Sequence, residues 1–519
     1  MFKRILAVLL LLSLFGCRNV SDDGAEPAET LPPAESVPAE TAPEETEPEE
    51  FLFPDAFEAK RALLRLEDLP LPMKYYTNES YAWFKIVREN AAEELRQKDL
   101  TQAEIEALYR KVLAARNSLR IVRGDTPRVY ILSNSGVGWG YSACSAIVVT
   151  SRSEKFKVVY DEHCEISLRG NSTAGAEKPP YNLRFSERVS LLGMDRGRKW
   201  SLLANLYDKS LMRNYVAYHL GERMGLPYTS GCRFVEVYLN GVYQGNYTLL
   251  EPVTDGRGRV EIDPENGDFL FEVDMNRNDG SYYLVPKHGQ RMKVNKPERV
   301  DSEGRSYLKT FFDSMDEALM THDIEQYGQY IDVESFADFY IHGEITKSID
   351  VYDFSTRYFL KDGKLYAGPI WDYDLSMGNV SARCNEDKYF TYCNVRDFGT
   401  NSGDSAEGEW MDHYWFHELL EDPSFRGIVL ERFRQLYPVF ENLYQDNEEG
   451  QCLIDWLMER YGDSFRRNYE EGGWDELRRY SGLAKDQTLP FEEEVEWLKD
   501  WLRRRTEWVG AMIEEKCAP

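Results

Sequence analysis

The segment Gly368-Pro369-Ile370-Trp371-Asp372-Tyr373-Asp374 sets two carboxylates two residues apart, just after the strand-like Lys364-Leu365-Tyr366-Ala367. Strand alternation turns Asp372 and Asp374 to one side, where two hard oxygen ligands suit Mg²⁺ held against phosphate oxygens. A second acidic segment, Lys347-Ser348-Ile349-Asp350-Val351-Tyr352-Asp353-Phe354-Ser355, closes a helical run from Phe336 to Thr346. Asp350 there suits a base or orienting group, and Ser355, five residues on, a second metal ligand. The third place is the turn Leu168-Arg169-Gly170-Asn171-Ser172-Thr173, whose backbone N–H groups and Arg169 could cradle an anion. Lys178, Arg184, Lys209 and Arg213 follow, and several cations of this kind could converge on a polyphosphate. As bare patterns, all of these also read as turn carboxylates, caps and surface charge.

Elements must position such groups. Strand-like runs occur at residues 129–132, 146–150 and 156–160, and again at 233–239 and 245–250, the last two joined through Asn240-Gly241. Asn-Gly between alternating runs is the strongest short hairpin signal. Residues 211–224 have helical spacing and stop at Gly225. From about Tyr307 onward helical patterns dominate, and residues 491–511 form one long amphipathic helix. A strand-rich half followed by a helix-rich half is an α+β arrangement.

The chain of 519 residues has room for two to four domains, and 42% hydrophobic residues can bury a sizeable core. A net charge of -28 repels phosphate backbones over the whole molecule and weighs against general nucleic-acid binding. The charge is uneven, with 13 acidic residues and no Lys or Arg between Asn19 and Ala59. Ahead of that stretch, Lys3 and Arg4 precede a short apolar run, and Leu14-Phe15-Gly16-Cys17 follows. The run is too short to span a bilayer and reads as an export signal. It resembles a bacterial lipoprotein signal over residues 1–17, with Cys17 as the lipidated residue. This implies an extracytoplasmic protein anchored to the cell membrane through lipid.

Residues 18–55 are rich in Pro and Glu, cannot offset chain entropy by apolar burial, and predict an extended, disordered stalk. Setting Cys17 aside leaves seven cysteines, an odd number for an exported chain; Cys384 and Cys393 bracket a loop and could pair. No CxxC or clustered Cys/His spacing appears, which argues against structural zinc. Residues 56–122 read as helical, with Thr101 and Glu104 in a capping-box arrangement. Their wording resembles the small FIVAR modules of bacterial surface proteins, which implies a spacer, a docking bundle or a wall-contacting module.

The series Arg169-Gly170-Asn171-Ser172-Thr173, Trp200-Ser201-Leu202-Leu203-Ala204-Asn205, Asp208-Lys209-Ser210-Leu211-Met212-Arg213-Asn214, Leu239-Asn240-Gly241-Val242-Tyr243-Gln244-Gly245 and the Gly368 to Asp374 segment resembles the CotH family of spore-coat protein kinases. The likeness covers residues 128–515. It implies an atypical protein-kinase-like fold and Mg-dependent transfer of phosphate from ATP to Ser or Thr of a protein substrate. Asp350 then takes the catalytic-loop carboxylate, and Asp372, with Asp374 and Ser355, the metal. Arg169, Asn171, Lys178, Arg184 and Arg213 face the nucleotide phosphates, with Glu251 holding one of those cations. The chain departs from the family where Pro179 replaces a Lys and Asn182 an Arg, so two cations are absent. A second reading is a non-catalytic surface scaffold or adhesin that binds wall or extracellular polysaccharide.

Overall fold

The computed structural model describes residues 52–68, 78–97, 99–117, 126–133, 135–149, 158–170, 173–273, 281–287, 291–348, 355–379, 414–474 and 489–518, with Leu119 and Val351. Cys17, Asn171, Asp350 and the Cys384–Cys393 pair lie outside the described residues, as does nearly all of the stalk. The chain divides into two compact units, residues 1–122 and 123–519.

In the first unit, α1 (Ala56–Asp68), α2 (Asn78–Gln97) and α3 (Gln102–Asn117) share a core of Ala59, Leu63, Phe84, Val87, Ile105, Tyr109 and Val112. The capping box read from the sequence forms at α3. Glu104 accepts from the Thr101 backbone N–H at 2.8 Å, and Thr101 Oγ1 accepts from the Glu104 N–H at 3.4 Å. Glu106, almost fully buried, accepts the backbone N–H groups of Leu52 and Phe53 at 2.8 and 3.0 Å and so ties the entering chain to α3.

The second unit opens with seven strands: β1 (Arg128–Ser133), β2 (Ser142–Val149), β3 (Val159–Leu168), β4 (Tyr181–Val189), β5 (Gly197–Leu203), β6 (Cys232–Leu239) and β7 (Val242–Leu250). They close into a barrel in the order β1-β2-β3-β4-β5-β7-β6, sealed by parallel pairing of β1 with β6. Period-two alternation sends Val129, Ile131, Ile166, Leu183, Trp200 and Val235 inward. Asn240-Gly241 makes the β6–β7 hairpin as the sequence predicts, with φ of 49° and 76°. Asn240 also bonds Ser133 across to β1, at 2.8 and 3.0 Å.

The outer face of the barrel is apolar along β6 and β7, where Cys232, Phe234 and Leu250 belong to the main core. Against it lies α4 (Arg213–Met224), which ends at Gly225 in the left-handed region at φ 82°, the predicted stop. A second, antiparallel sheet has the order β12-β11-β8-β10-β9, from β8 (Phe269–Val273), β9 (Tyr283–Leu284), β10 (Met292–Lys296), β11 (Arg357–Lys361) and β12 (Lys364–Ala367). Between β10 and β11 run α5 (Ser302–Leu319), α6 (Ile324–Tyr327) and α7 (Val333–Thr346); aspartates 301, 323 and 332 cap them by accepting early backbone N–H groups. After β12 come α8 (Tyr414–Glu421), α9 (Pro423–Glu441), α10 (Leu453–Glu470) and α11 (Phe491–Cys517). The α+β class holds, but strands and helices interleave: β11 returns after three helices to pair with β8.

Buried polar groups join barrel to helices. Arg467 on α10 donates from Nη1 to both oxygens of Glu236 on β6 at 2.9 Å, from Nε to Glu471 at 3.0 Å and from Nη2 to the Tyr238 hydroxyl at 2.7 Å. His342 on α7 donates from Nε2 to the Ala217 carbonyl at 2.9 Å, and burial pushes its pKa down to about 4. His219 on α4 is likewise pushed down to about 4, by burial and then by Arg223. The unfolded chain therefore binds protons near pH 6.5 that the folded one refuses until about pH 4. Stability is full above pH 6.5 and declines as the pH falls through 4, by about 3 kcal/mol per histidine. Urea midpoints measured between pH 7 and 4.5 should fall accordingly, and His219→Gln should flatten that dependence.

Candidate functional site

The loop that follows β12 carries Trp371, Asp372 and Asp374, and it is not a strand. Asp372 has φ 68°, in the left-handed region that few non-glycine residues adopt. Period-two alternation therefore does not place Asp372 and Asp374, and the expectation that they point together on that ground is corrected. The loop is held from outside. Asn214 at the start of α4 accepts the Tyr373 N–H at 2.8 Å, and Asn379 donates to the carbonyls of Tyr207 and Asp374 at 2.7 and 2.8 Å. The Met377 N–H reaches the Thr346 carbonyl at 2.7 Å, and Tyr218 Oη lies 3.4 Å from the Asp372 N–H.

Around Asp372 gather two guanidiniums and a second carboxylate. Burial pushes the Asp372 carboxyl up from its ordinary value; Arg169 and then Arg357 oppose this, and Glu272 adds to it. Both arginines lie against the Trp371 ring, Arg169 at 5.1 Å and Arg357 at 5.5 Å from the centroid. Arg357 on β11 stands opposite Glu272 on β8 and donates to it at 2.8 Å, while Asn295 on β10 donates to the other oxygen at 2.9 Å. Burial raises Glu272, but Arg357 and Asn295 outweigh it and leave the carboxyl below its ordinary value. Arg169 Nη1 and Arg357 Nε are buried donors with no hydrogen-bond partner. Unmet donors on two cations are costly unless an acceptor reaches them.

Ser355, with φ 54°, lines a small cavity together with Trp371, Ser348 and Thr356. Arg184, on the outer face of β4, pairs with Glu165 at 2.5 Å and lies 4.3 Å from the centre of the Tyr141 ring. Tyr141 is also within the fields of Arg169 and Ser167, so Arg184 borders the same region.

Three expected members stand elsewhere. Lys178 is fully buried and donates to the carbonyls of Ala204 and Asn246 at 2.8 and 2.7 Å. Burial pulls its pKa well below the ordinary lysine value, so it is a strut between loop and barrel and does not face a phosphate. Arg213 is fully buried between Asp208 at 2.5 Å and Glu494 at 3.0 Å, which leaves no donor for a nucleotide. Glu251 holds none of the expected cations: it takes Arg259 at 2.8 Å and the Gly231 N–H at 2.9 Å.

Glu272, Arg357 and Tyr218 were not singled out from sequence, since each is a lone polar residue in an apolar run until strand pairing and helix docking bring them together. The loop between β1 and β2 was missed too, although Gly136, Gly138 and Gly140 in alternation are a visible signal. There Gly138 accepts the Leu168 N–H at 2.8 Å beside Arg169, Val137 packs on the barrel core, and Trp139 stays 66% exposed.

The second unit thus sets two half-buried carboxylates beside two guanidiniums with unmet donors. Residues 166–509 match the family described as CotH kinase protein, more than half of the chain, and the protein belongs to that family. The match begins within β3, so β1, β2 and their glycine loop lie before it. Among curated proteins nothing matches the chain.

Arg213→Met should cost about 3–5 kcal/mol, because Asp208 and Glu494 would stay buried without their cation. Urea unfolding of the variant against the wild type measures it.

Proposed function

We propose that the protein transfers the γ-phosphate of ATP to Ser or Thr of a protein substrate, with Mg²⁺, in an atypical kinase-like fold whose barrel and helical body flank the nucleotide. The observation that carries this reading is the half-buried Asp372 beside Glu272, close to two arginines whose Nη1 and Nε donors have no partner. The donor set fits the group: hard carboxylate oxygens for a divalent cation, and guanidinium N–H groups for phosphate oxygens. Asp372, with Glu272, would hold the metal, and Arg169 and Arg357 the phosphates. The bound metal supplies charge neutralisation at the phosphate oxygens.

The chain's own part is positioning. Both guanidiniums lie against the Trp371 ring, and the Asn214 bond to Tyr373 and the Asn379 bond to Asp374 brace the loop that carries Asp372. Asp350 is given the acceptor hydroxyl by family resemblance. Ser355 and Asp374 complete the metal side in this reading, with Arg184 beside the phosphates.

The same proposal places the protein outside the cytoplasm, anchored through lipid on Cys17 and held off the membrane by the stalk. No helix of the described residues is long and apolar enough to cross a membrane. The FIVAR-like first unit presents Phe57, Trp83 and Ile86 more than half exposed, which favours a contact role for that unit toward wall or extracellular polysaccharide. That reading stands alongside the kinase.

Calorimetric titration of the full chain with ATP should show binding that requires Mg²⁺ and weakens at least tenfold in Asp372→Asn, with an unchanged circular dichroism spectrum. Transfer of labelled phosphate to protein should disappear in the same variant. Equal ATP binding by wild type and variant, with or without Mg²⁺, would remove the basis of the proposal.

A further inference from the structure

Cys144 on β2 and Cys164 on β3 are direct partners across the antiparallel ladder. Both point into the barrel and are buried, among Ile131, Val148 and Ile166. Opposed residues of an antiparallel pair have Cα atoms about 4.5–5.5 Å apart. That spacing falls inside the range of roughly 4.4–6.8 Å that a disulfide spans. Both thiols are free in this structure, and Cys144 is the neighbour with the largest effect on the Cys164 thiol. The other described cysteines sit on separate elements: Cys232 on β6, Cys452 ahead of α10 and Cys517 at the end of α11.

We infer that Cys144 and Cys164 form a disulfide when the chain folds in an oxidising compartment, stapling β2 to β3 inside the barrel. The oxidant is a protein or small-molecule disulfide. One cysteine thiolate attacks a sulfur of that disulfide and forms a mixed disulfide, releasing one carrier thiol. The second cysteine thiolate then displaces the other carrier sulfur, so the chain is oxidised by two electrons, the carrier leaves as two thiols, and the two thiol protons end on it. Contact with Cys144, and then burial, hold the Cys164 thiol up from its ordinary value, so in the closed barrel it is protonated and unreactive. Exchange therefore belongs to the stage when β2 and β3 pair and the interior is still open. The staple sits on the strand that ends at Leu168 and delivers Arg169 to the site, and it does not depend on the phosphotransfer reading.

The test is a comparison of the full chain isolated from an oxidising export compartment and from a reducing cytosol. Each sample is quenched in acid, denatured, alkylated without reduction and mapped by mass spectrometry. The expected result is a cross-linked peptide pair containing Cys144 and Cys164 in the exported chain and two alkylated cysteines in the cytosolic one. The exported chain should also melt at a lower temperature after reduction, whereas a Cys144→Ala/Cys164→Ala variant should not respond at that position. Alkylation of both cysteines in the exported chain, or pairing of either with another cysteine, overturns the inference.

Discussion

A guanidinium without access to water organises the second unit. Arg213 opens α4 and is shared between Asp208 and Glu494, with the Met377 carbonyl 3.4 Å from its Nε and Nη2. Burial opposes its charge, yet the two carboxylates outweigh burial and hold its pKa above the ordinary value. One cation thereby fixes the loop before α4, the loop that bears Asp372 and the first turn of α11. Such a triad gains little over an apolar core of the same shape, but it is intolerant of losing any one member. Its value is therefore in geometry: three segments distant in sequence are held to one arrangement.

The same economy recurs closer to the site. Asn205 links its neighbours by donating to the Leu211 carbonyl at 3.2 Å and to Thr248 at 3.0 Å, and by accepting from Asn214 at 3.2 Å. Asn214 in turn holds Tyr373. Lys178 and Arg213, which look in sequence like phosphate ligands, belong to this scaffold, with their donors taken by buried partners. Gly245 belongs to that scaffold: at φ 105°, an added Cβ would stand 2.4 Å from Asn468 Oδ1, so only glycine lets α10 approach the barrel here. Two of the groups left with unmet donors, on Arg169 and Arg357, stand where β3 ends and β11 begins.

Two costs meet at Asp372. Its backbone is in the left-handed region and its carboxyl is pushed toward the protonated form by burial, both of which cost free energy. The surrounding bonds made by Asn214, Asn379 and the Met377 N–H involve backbone and amide groups that do not titrate. A bound cation would reverse the burial effect directly.

Local signals determined the local structure. The Asn240-Gly241 turn, the Gly225 stop, the Thr101–Glu104 capping box and the α+β class are short-range, because turn chemistry, caps and periodicity act within a few residues. The residue series also carried the family. What the tertiary structure alone decided is which polar groups meet. Closure of the barrel through β1 and β6, and the pairing of β11 with β8, are contacts across long stretches of chain whose register no local pattern encodes. They bring Arg357 and Glu272 to Asp372, and they carry Lys178, Arg213 and Glu251 into buried bonds elsewhere. A charged residue's type is written in the sequence, but whether its charge faces a ligand or is consumed by a buried partner depends on which segments pack against it.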